Sequence, residues 1–504
     1  MKRSPLIDTW PGEHMRCGGN ARCRARSFCL GAIASIAALL LAACGGGGGG
    51  SVAAAGPSVG IDRSGNSVGT VTGFGSVFVN GIEFSTSGAT ITKDGQSATE
   101  RDLRVGQVVT VVGSRDEARA TGTATQVVFD DNVEGPVTVI DVTNNRVVVL
   151  GQTVLVDAGT VFDDAITPSG LDGLTLNDVL EVSGFTDAAG AIHATRIERK
   201  ASGGTVEVTG TVSVVDTAAK QFSIGDQRVD YSSATLADFS AANPVNGQRV
   251  EVKGSVVVAT GLLAATRVEL KGTNLIGNSG QQSEIEGFIS RFASAQDIDV
   301  SGQKITTSSS TVFEGGTASL LALGIKVEVQ GRIADGALGA TKVQIKLAST
   351  QRVQGRVQTI DRTARRLTVL GVVIETSNDT QFEDNGPARL SSFSLANINV
   401  DDYVEVRGVA GSNGVDIVAI RVERDDAEDQ SELRGQVQTF SDPTLTINGV
   451  TVTIGDGTQL QNRSGEHLSR GAFFAALQVG DQLHVHGNST GVAAVAALEV
   501  EYGD

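Results

Sequence analysis

The sequence predicts an all-β protein, a tandem array of six small β-barrels. Three observations carry that expectation. One short phrase recurs six times along the 504 residues, roughly 65 to 80 residues apart. Each copy breaks into short runs rich in Val, Ile and Thr, bounded by turn residues, which is the signature of strands. One stretch inside each copy changes to Leu or Phe three or four apart, the spacing of a turn or two of helix.

Each copy opens on a glycine flanked by β-branched residues: Gly69-Thr70-Val71, Gly135-Pro136-Val137, Gly210-Thr211-Val212, Gly287-Phe288-Ile289, Gly355-Arg356-Val357 and Gly435-Gln436-Val437. A glycine there suits the tight coiling of a first strand that serves both sheets of a barrel. A second strand follows, as at 146–150, 367–370 and 445–447, then a turn glycine (Gly151, Gly225, Gly302, Gly371, Gly449). A third strand leads toward Thr160-Val161-Phe162, Thr311-Val312-Phe313 or Thr380-Gln381-Phe382. The helical spacing comes next, at 171–177, 236–241, 320–323, 390–396 and 473–477. The phrase closes on two more strands, best seen as Val250-Glu251-Val252-Lys253-Gly254 and Ala265-Thr266-Arg267-Val268-Glu269. Near-copies end at Gly184/Glu198, Gly331/Gln344 and Gly408/Glu423, with looser ones at Gly113/Val128 and Gly487/Glu501. Strand, strand, strand, short helix, strand, strand is the order of the OB fold, a five-stranded Greek-key barrel. A six-stranded sandwich and an SH3-like barrel are the alternatives within the same class.

The repeats are expected at 67–131, 132–200, 206–271, 284–348, 351–425 and 432–502. Joints such as 128–134 and 345–352 are short; longer polar ones lie at 271–283 and 424–431. Six barrels in line would reach very roughly 150–200 Å, a semi-rigid rod bending at the two longer joints.

Alternation places Glu251 on one face of its strand and Val250 and Val252 on the other. If Glu251 opposes Arg267, the same register sets Glu181 against Arg196, Glu328 against Lys342 and Glu405 against Arg421. In the outer repeats Thr110 would face Gln126, and His484 would face Glu499. Such pairs on an exposed face read as structural, each stabilising by roughly 0.2–1 kcal/mol.

Residues 1–43 read as an export leader. Arg22, Arg24 and Arg26 precede an apolar run at 28–41 that is too short to span a bilayer as a helix. It ends Leu41-Ala42-Ala43-Cys44, which resembles a bacterial lipobox and implies acylation at Cys44. The stretch before Met15 lies outside a normal leader, so Met15 is a second candidate start. All four cysteines (Cys17, Cys23, Cys29, Cys44) lie at or before the expected cleavage point, which leaves no disulfide, cysteine metal site or cysteine nucleophile beyond it. Residues 44–66 are a glycine-rich tether, about 20 residues of which span about 25 Å. Without residues 1–43, the 40 basic and 57 acidic groups fall to 34 and 55, a formal charge of −21. Such a chain repels nucleic acid and anionic head groups, and nucleic acid is excluded as a partner.

No constellation of catalytic residues stands out. There is no Gly-x-Ser-x-Gly elbow, no His-Glu-x-x-His and no phosphate loop. His484 and His486, two apart on one strand, are the candidates for a metal, with His467 nearby; the plainer reading is a surface pair. His193 sits at an expected hairpin exit and reads as a surface residue. Acid pairs at Asp130-Asp131, Asp163-Asp164 and Asp401-Asp402, and the run Asp425, Asp426, Glu428, Asp429, lack calcium-loop spacing and read as solvated loop charge. No cofactor is expected.

The opening Gly-x-Val, the Val-Glu-Val-x-Gly strand and the Ala-Thr-Arg-Ile-Glu strand resemble the bacterial family called domain of unknown function 5666, over nearly all of 67–502. The resemblance implies exported, often lipid-anchored tandem β-domains in Gram-negative bacteria, and Gly45 after Cys44 fits an outer-membrane sorting context. It supplies no activity. The expected function is a non-catalytic spacer or binding module in the cell envelope, for a protein or glycan partner. A carbohydrate-active or metal-dependent envelope enzyme is one alternative, and a periplasmic stress or assembly factor is another.

Overall fold

The computed structural model describes residues 64–503 apart from 158, 240–242, 258–259, 273–277, 347, 391 and 464. The expected leader, Cys44 and most of the tether lie outside the described residues.

Repeat three shows how one unit is built. Its strands are Val206–Asp216, Gln221–Ile224, Gln227–Asp230 with its continuation Thr235–Ala237, Arg249–Val257 and Leu262–Leu270. The first three form a meander through Val212↔Ile224 and Phe222↔Val229. The third runs parallel to the fifth (Val229↔Leu263, Leu236↔Val268). The fifth is antiparallel to the fourth (Val252↔Val268), and the fourth returns to the first (Val208↔Val252). The ring one-two-three-five-four therefore closes. The other five repeats close through the same pairings, as in Val133↔Val182 and Val353↔Val406.

The recurring phrase has a structural cause. In all six hairpins of strands four and five a bulge falls just before the phrase glycine: Gly113, Gly184, Gly254, Gly331, Gly408 and Gly487. There the two backbones approach so closely that a Cβ on Gly254 would lie 2.2 Å from the Ala264 carbonyl oxygen, and 2.1–2.4 Å from its equivalent in the other five. The residue bulged out opposite is a threonine in repeats one to four, Ile420 in repeat five and Leu498 in repeat six. Thr125, Thr195, Thr266 and Thr341 each donate a hydroxyl hydrogen bond to the carbonyl across the hairpin, at 3.0–3.1 Å. The third-strand threonines do similar work. Thr160, Thr311, Thr380 and Thr458 donate to the carbonyls of Ala194, Ala340, Ala419 and Ala497 at 2.7–2.8 Å, tying strand three to strand five.

The expected helix between strands three and four is reduced. Repeat six has an α-helix, Arg470–Ala476, started by Ser469, whose hydroxyl accepts from the Ala472 amide. Repeats one, two, four and five have single 3-10 turns: Glu100–Asp102, Leu171–Gly173, Ala318–Leu320 and Leu395–Asn397. In repeat three Leu236 belongs to a strand, because the parallel ladder to strand five extends that far. The apolar residues still cover a barrel end: Leu171, Leu174, Leu321, Leu395 and Phe473 are buried. Leu320 and Leu323 of the expected set are exposed.

The repeats do not follow one another as a rod. Residues 61–504 form one compact unit. First strands pair across repeats: two with three (Val133↔Val208), five with six (Val353↔Leu433), and one with four (Gly65↔Gln282 to Val68↔Ile285), the last parallel and out of chain order. Repeats two and three share one hydrophobic cluster, and five and six share another. Repeat one keeps its own, and repeat four's takes in Val68 from repeat one. A first strand stays available for a neighbouring barrel because its opening half pairs with its own fourth strand along one edge and only its later half reaches the second strand, which leaves the opening half's other edge for the neighbour. Gly65 fits there only as glycine, since a Cβ would lie 1.9 Å from the Gln282 carbonyl oxygen.

Candidate binding cavity

The strand-four glutamates of the phrase are not on an exposed face. Glu181, Glu251, Glu328 and Glu405 are only 3, 4, 2 and 5% exposed, because that barrel face docks against neighbouring strands. The expected opposing pairs are also two residues out of register. Glu251 stands opposite Glu269 and Arg267 opposite Lys253; likewise Glu181 faces Glu198, Glu328 faces Gln344 and Glu405 faces Glu423. Arg196, Lys342 and Arg421 face Ser183, Gln330 and Arg407. The bulge adds a residue to strand five, and the core then sets the register: Val252 pairs with Val268, both fully buried, instead of with exposed Thr266. The bases that hold these glutamates lie at the end of strand five or one step beyond it, on strand one, or on strand four itself. Glu181 pairs with Lys200 at 2.6 Å, Glu328 with Lys346 at 2.8 Å, Glu251 with Lys271, and Glu405 with Arg352 and Arg407. Burial opposes the Glu405 charge, yet Arg407 and Arg352 outweigh it and hold the carboxyl down at about 2. In repeat five the place of Lys200, Lys271 and Lys346 is taken by Asp425, which burial and the neighbouring Glu423 and Glu405 push up to about 8.

Thr110 faces Val128, and Gln126 faces Val112. His484 likewise meets Glu501, not Glu499, its Nδ1 2.8 Å from Oε1. Its Nε2 is 3.5 Å from Glu432 Oε2, and His486 Nδ1 is 3.2 Å from Glu432 Oε1. Glu432, His484 and His486 thus bring three ligand atoms within 4.8 Å. The Arg352 guanidinium lies 2.7 Å from that same Glu432 Oε2, so a metal cation would sit against a fixed positive charge. Burial works against charge on His484, but Glu432 and Glu501 prevail and raise its pKa. The triad behaves as an ion-pair network. His467 makes an isolated bridge with Gln461, and His193 stacks on Phe288 of repeat four, with ring centroids 4.0 Å apart.

His484 lies on the wall of a cavity of about 540 Å³ formed by repeats two, five and six. Five arginines line it: Arg352, Arg407, Arg421, Arg434 and Arg463. Three acids line it too, Asp157, Asp172 and Glu501. Arg421 crosses from repeat five to donate to the Thr160 carbonyl of repeat two at 3.2 Å, with Glu383 at 2.6 Å and Glu423 at 2.7 Å behind it. Arg463 pairs with Asp481 at 3.3 Å. Arg434 differs. Among the described residues it has no carboxylate within ion-pair distance; its buried Nε has no hydrogen-bond partner either, which it shares with Arg352 and Arg421. Asn145, Thr160, Ser169, Gln351 and Asn462 complete a polar rim. Sequence reasoning missed this wall, since its arginines come from two repeats and share no motif; Arg421 alone was singled out, for a different partner. Of the acid pairs, Asp163 and Asp164 meet Arg196 and Arg389, Asp402 meets Arg424 at 3.3 Å, and Asp131 is buried.

The fold thus defines a protein of six tandem closed β-barrels, three of which, repeats two, five and six, enclose an arginine-lined cavity. The family described as domain of unknown function (DUF5666) matches residues 68–128, 134–198, 209–269, 286–344, 354–423 and 434–501, and the chain belongs to that family. No curated protein matches the sequence. A solved structure titled drosophila Unr CSD456 is similar over 43% of this chain and 95% of that one, at 11% identity and a TM-score of 0.10, a likeness too slight to carry an argument.

Proposed function

We propose that this chain is a non-catalytic, lipid-anchored protein of the Gram-negative cell envelope, held at the outer membrane through Cys44, and that its barrels form a binding module for an anionic glycan. The ring order one-two-three-five-four, with third and fifth strands parallel, supports reading each repeat as an OB-like barrel. The observation that carries the ligand class is the guanidinium wall in a chain of net charge −17. Burial removes the water that would screen those charges, and the planar guanidinium matches carboxylate, sulfate or phosphate groups two hydrogen bonds at a time. Arg434 is the member whose charge is not already spoken for. Amides and hydroxyls around the rim suit sugar hydroxyls. The lipobox and tether support a site displayed off a membrane.

The test is a binding panel of uronate-bearing, sulfated, phosphorylated and neutral glycans, with an acidic peptide alongside. Acidic glycans should bind, and Arg434→Ala should weaken them about 10- to 100-fold, the loss of one charged hydrogen-bonded contact. Equal binding of neutral glycans, capture of the peptide alone, or an unchanged Arg434→Ala affinity would each refute the ligand class. Palmitate labelling that persists in Cys44→Ser would refute the anchor.

A further inference from the structure

A second charged centre lies where repeats one, two and three meet, and it is acidic. Asp94 sits in the turn between Thr90–Lys93 and Gln96–Ala98, in the left-handed region at φ 51°. Asp131 lies in the joint between repeats one and two, and Glu181 on the fourth strand of repeat two, Val179–Thr186. One carboxylate oxygen from each falls within 4.8 Å of the others.

Asp131 is 2% exposed, and neither of its carboxylate oxygens has a hydrogen-bond partner. Its amide donates to Asp94 Oδ1 at 3.1 Å, which locks the two carboxylates side by side. Three lysines border the cluster, and among the described residues none pairs with the carboxylate of Asp94 or Asp131. Lys93 and Lys200 hold Glu181 at 3.0 and 2.6 Å, and Lys253 holds Glu207 at 2.7 Å. Glu207, from repeat three, turns another buried and unpartnered oxygen into the same region. A buried carboxylate without a partner is costly unless it is protonated or meets a cation. Burial, then Glu207, Asp94 and Glu181, push Asp131 well above the usual carboxylate range; burial and Glu181 push Asp94 up to about 6.

We propose that Asp94 and Asp131, with Glu181 at the edge where it is shared with two lysines, form a calcium site that ties repeats one and two together beside repeat three. The donors are all oxygen, with no imidazole or thiolate, which selects a hard cation. They come from three separate chain segments, and the Asp94 carbonyl, 3.2 Å from Lys253 Nζ, faces the same junction. Calcium accepts such irregular oxygen sets of six to eight ligands, water included, whereas magnesium demands a near-regular octahedron. The bound ion neutralises Asp131 without a proton.

Thermal unfolding of the purified full-length chain at pH 8, after chelation, tests this. Adding CaCl2 to a hundredfold excess over its Kd should raise Tm by about 3 °C. KCl at matched ionic strength should not. Terbium luminescence should report one site per chain that calcium displaces. Asp131→Asn should raise the metal-free Tm and abolish both the calcium shift and the terbium signal; should that variant not fold, Asp94→Asn reads out the same loss. No calcium shift, an equal shift with KCl, a shift with MgCl2 alone, or a full shift retained in the variants would each overturn the proposal.

Discussion

Substituting Gly254 by alanine tests why the repeating phrase contains its glycine. The new Cβ would lie 2.2 Å from the Ala264 carbonyl oxygen, 2.9 Å from its carbon and 3.0 Å from Ala265 Cα. All three are backbone atoms of strand five, so no side chain can swing aside. Reaching ordinary contact needs a separation of about 1 Å between strands whose inner faces carry fully buried Val252 and Val268. Overpacking of that kind costs about 1–3 kcal/mol. Opening the bulge also loosens one or two ladder hydrogen bonds, at about 1 kcal/mol each. The sum is about 2–5 kcal/mol. Gly457→Ala is the control: it lies in a strand with nothing within 4 Å of its Cβ and no positive φ, so the change should be neutral or stabilise by about 0.4–1 kcal/mol. Urea unfolding followed by far-ultraviolet circular dichroism, with amide exchange resolving repeat three, gives both numbers. If Gly254→Ala proves as stable as Gly457→Ala, the close approach is not why the phrase carries glycine.

The compact unit and the rod differ in size. Small-angle scattering should give a radius of gyration of about 22 Å for the 440-odd residues of the barrels, while a 150 Å rod would give about 40 Å or more; the larger value would refute the pairing of repeats one and four. Stability should also fall as pH rises from about 4.5 to 8. Burial holds Glu207 and Asp425 up at about 8 in the folded chain, so within that window the folded state binds more protons than the unfolded one. Below it the sign reverses: burial opposes charge on Glu198, but Arg196 holds it at about 2, and Glu405 is held there by Arg407 and Arg352, so their stabilisation is lost as pH falls from about 4.5 toward 2. Urea midpoints at pH 3, 5.5 and 9 should peak at 5.5; a midpoint that rises at pH 9 contradicts the buried-acid reading.

The sequence by itself determined what is local in this protein. Alternating Val, Ile and Thr placed the strands, the glycines marked the turns and first strands, and the six-fold phrase counted the barrels, because each of these is set by neighbours within one repeat. It also marked His484 and His486 as companions, since two residues on one strand share a face whatever surrounds them. The tertiary structure alone decided the rest. Fully buried Val252 had to meet Val268, and that requirement, with an extra bulged residue, moved every expected charge pair by two positions. The docking of first strands across repeats turned an apparently exposed glutamate face into a buried one and brought repeat one beside repeat four. Both candidate sites arise there, from Arg421 beside Arg434 and from Asp131 beside Asp94. Their residues lie in different repeats, and no period in the chain encodes which barrel faces meet; that choice belongs to the packing of whole surfaces.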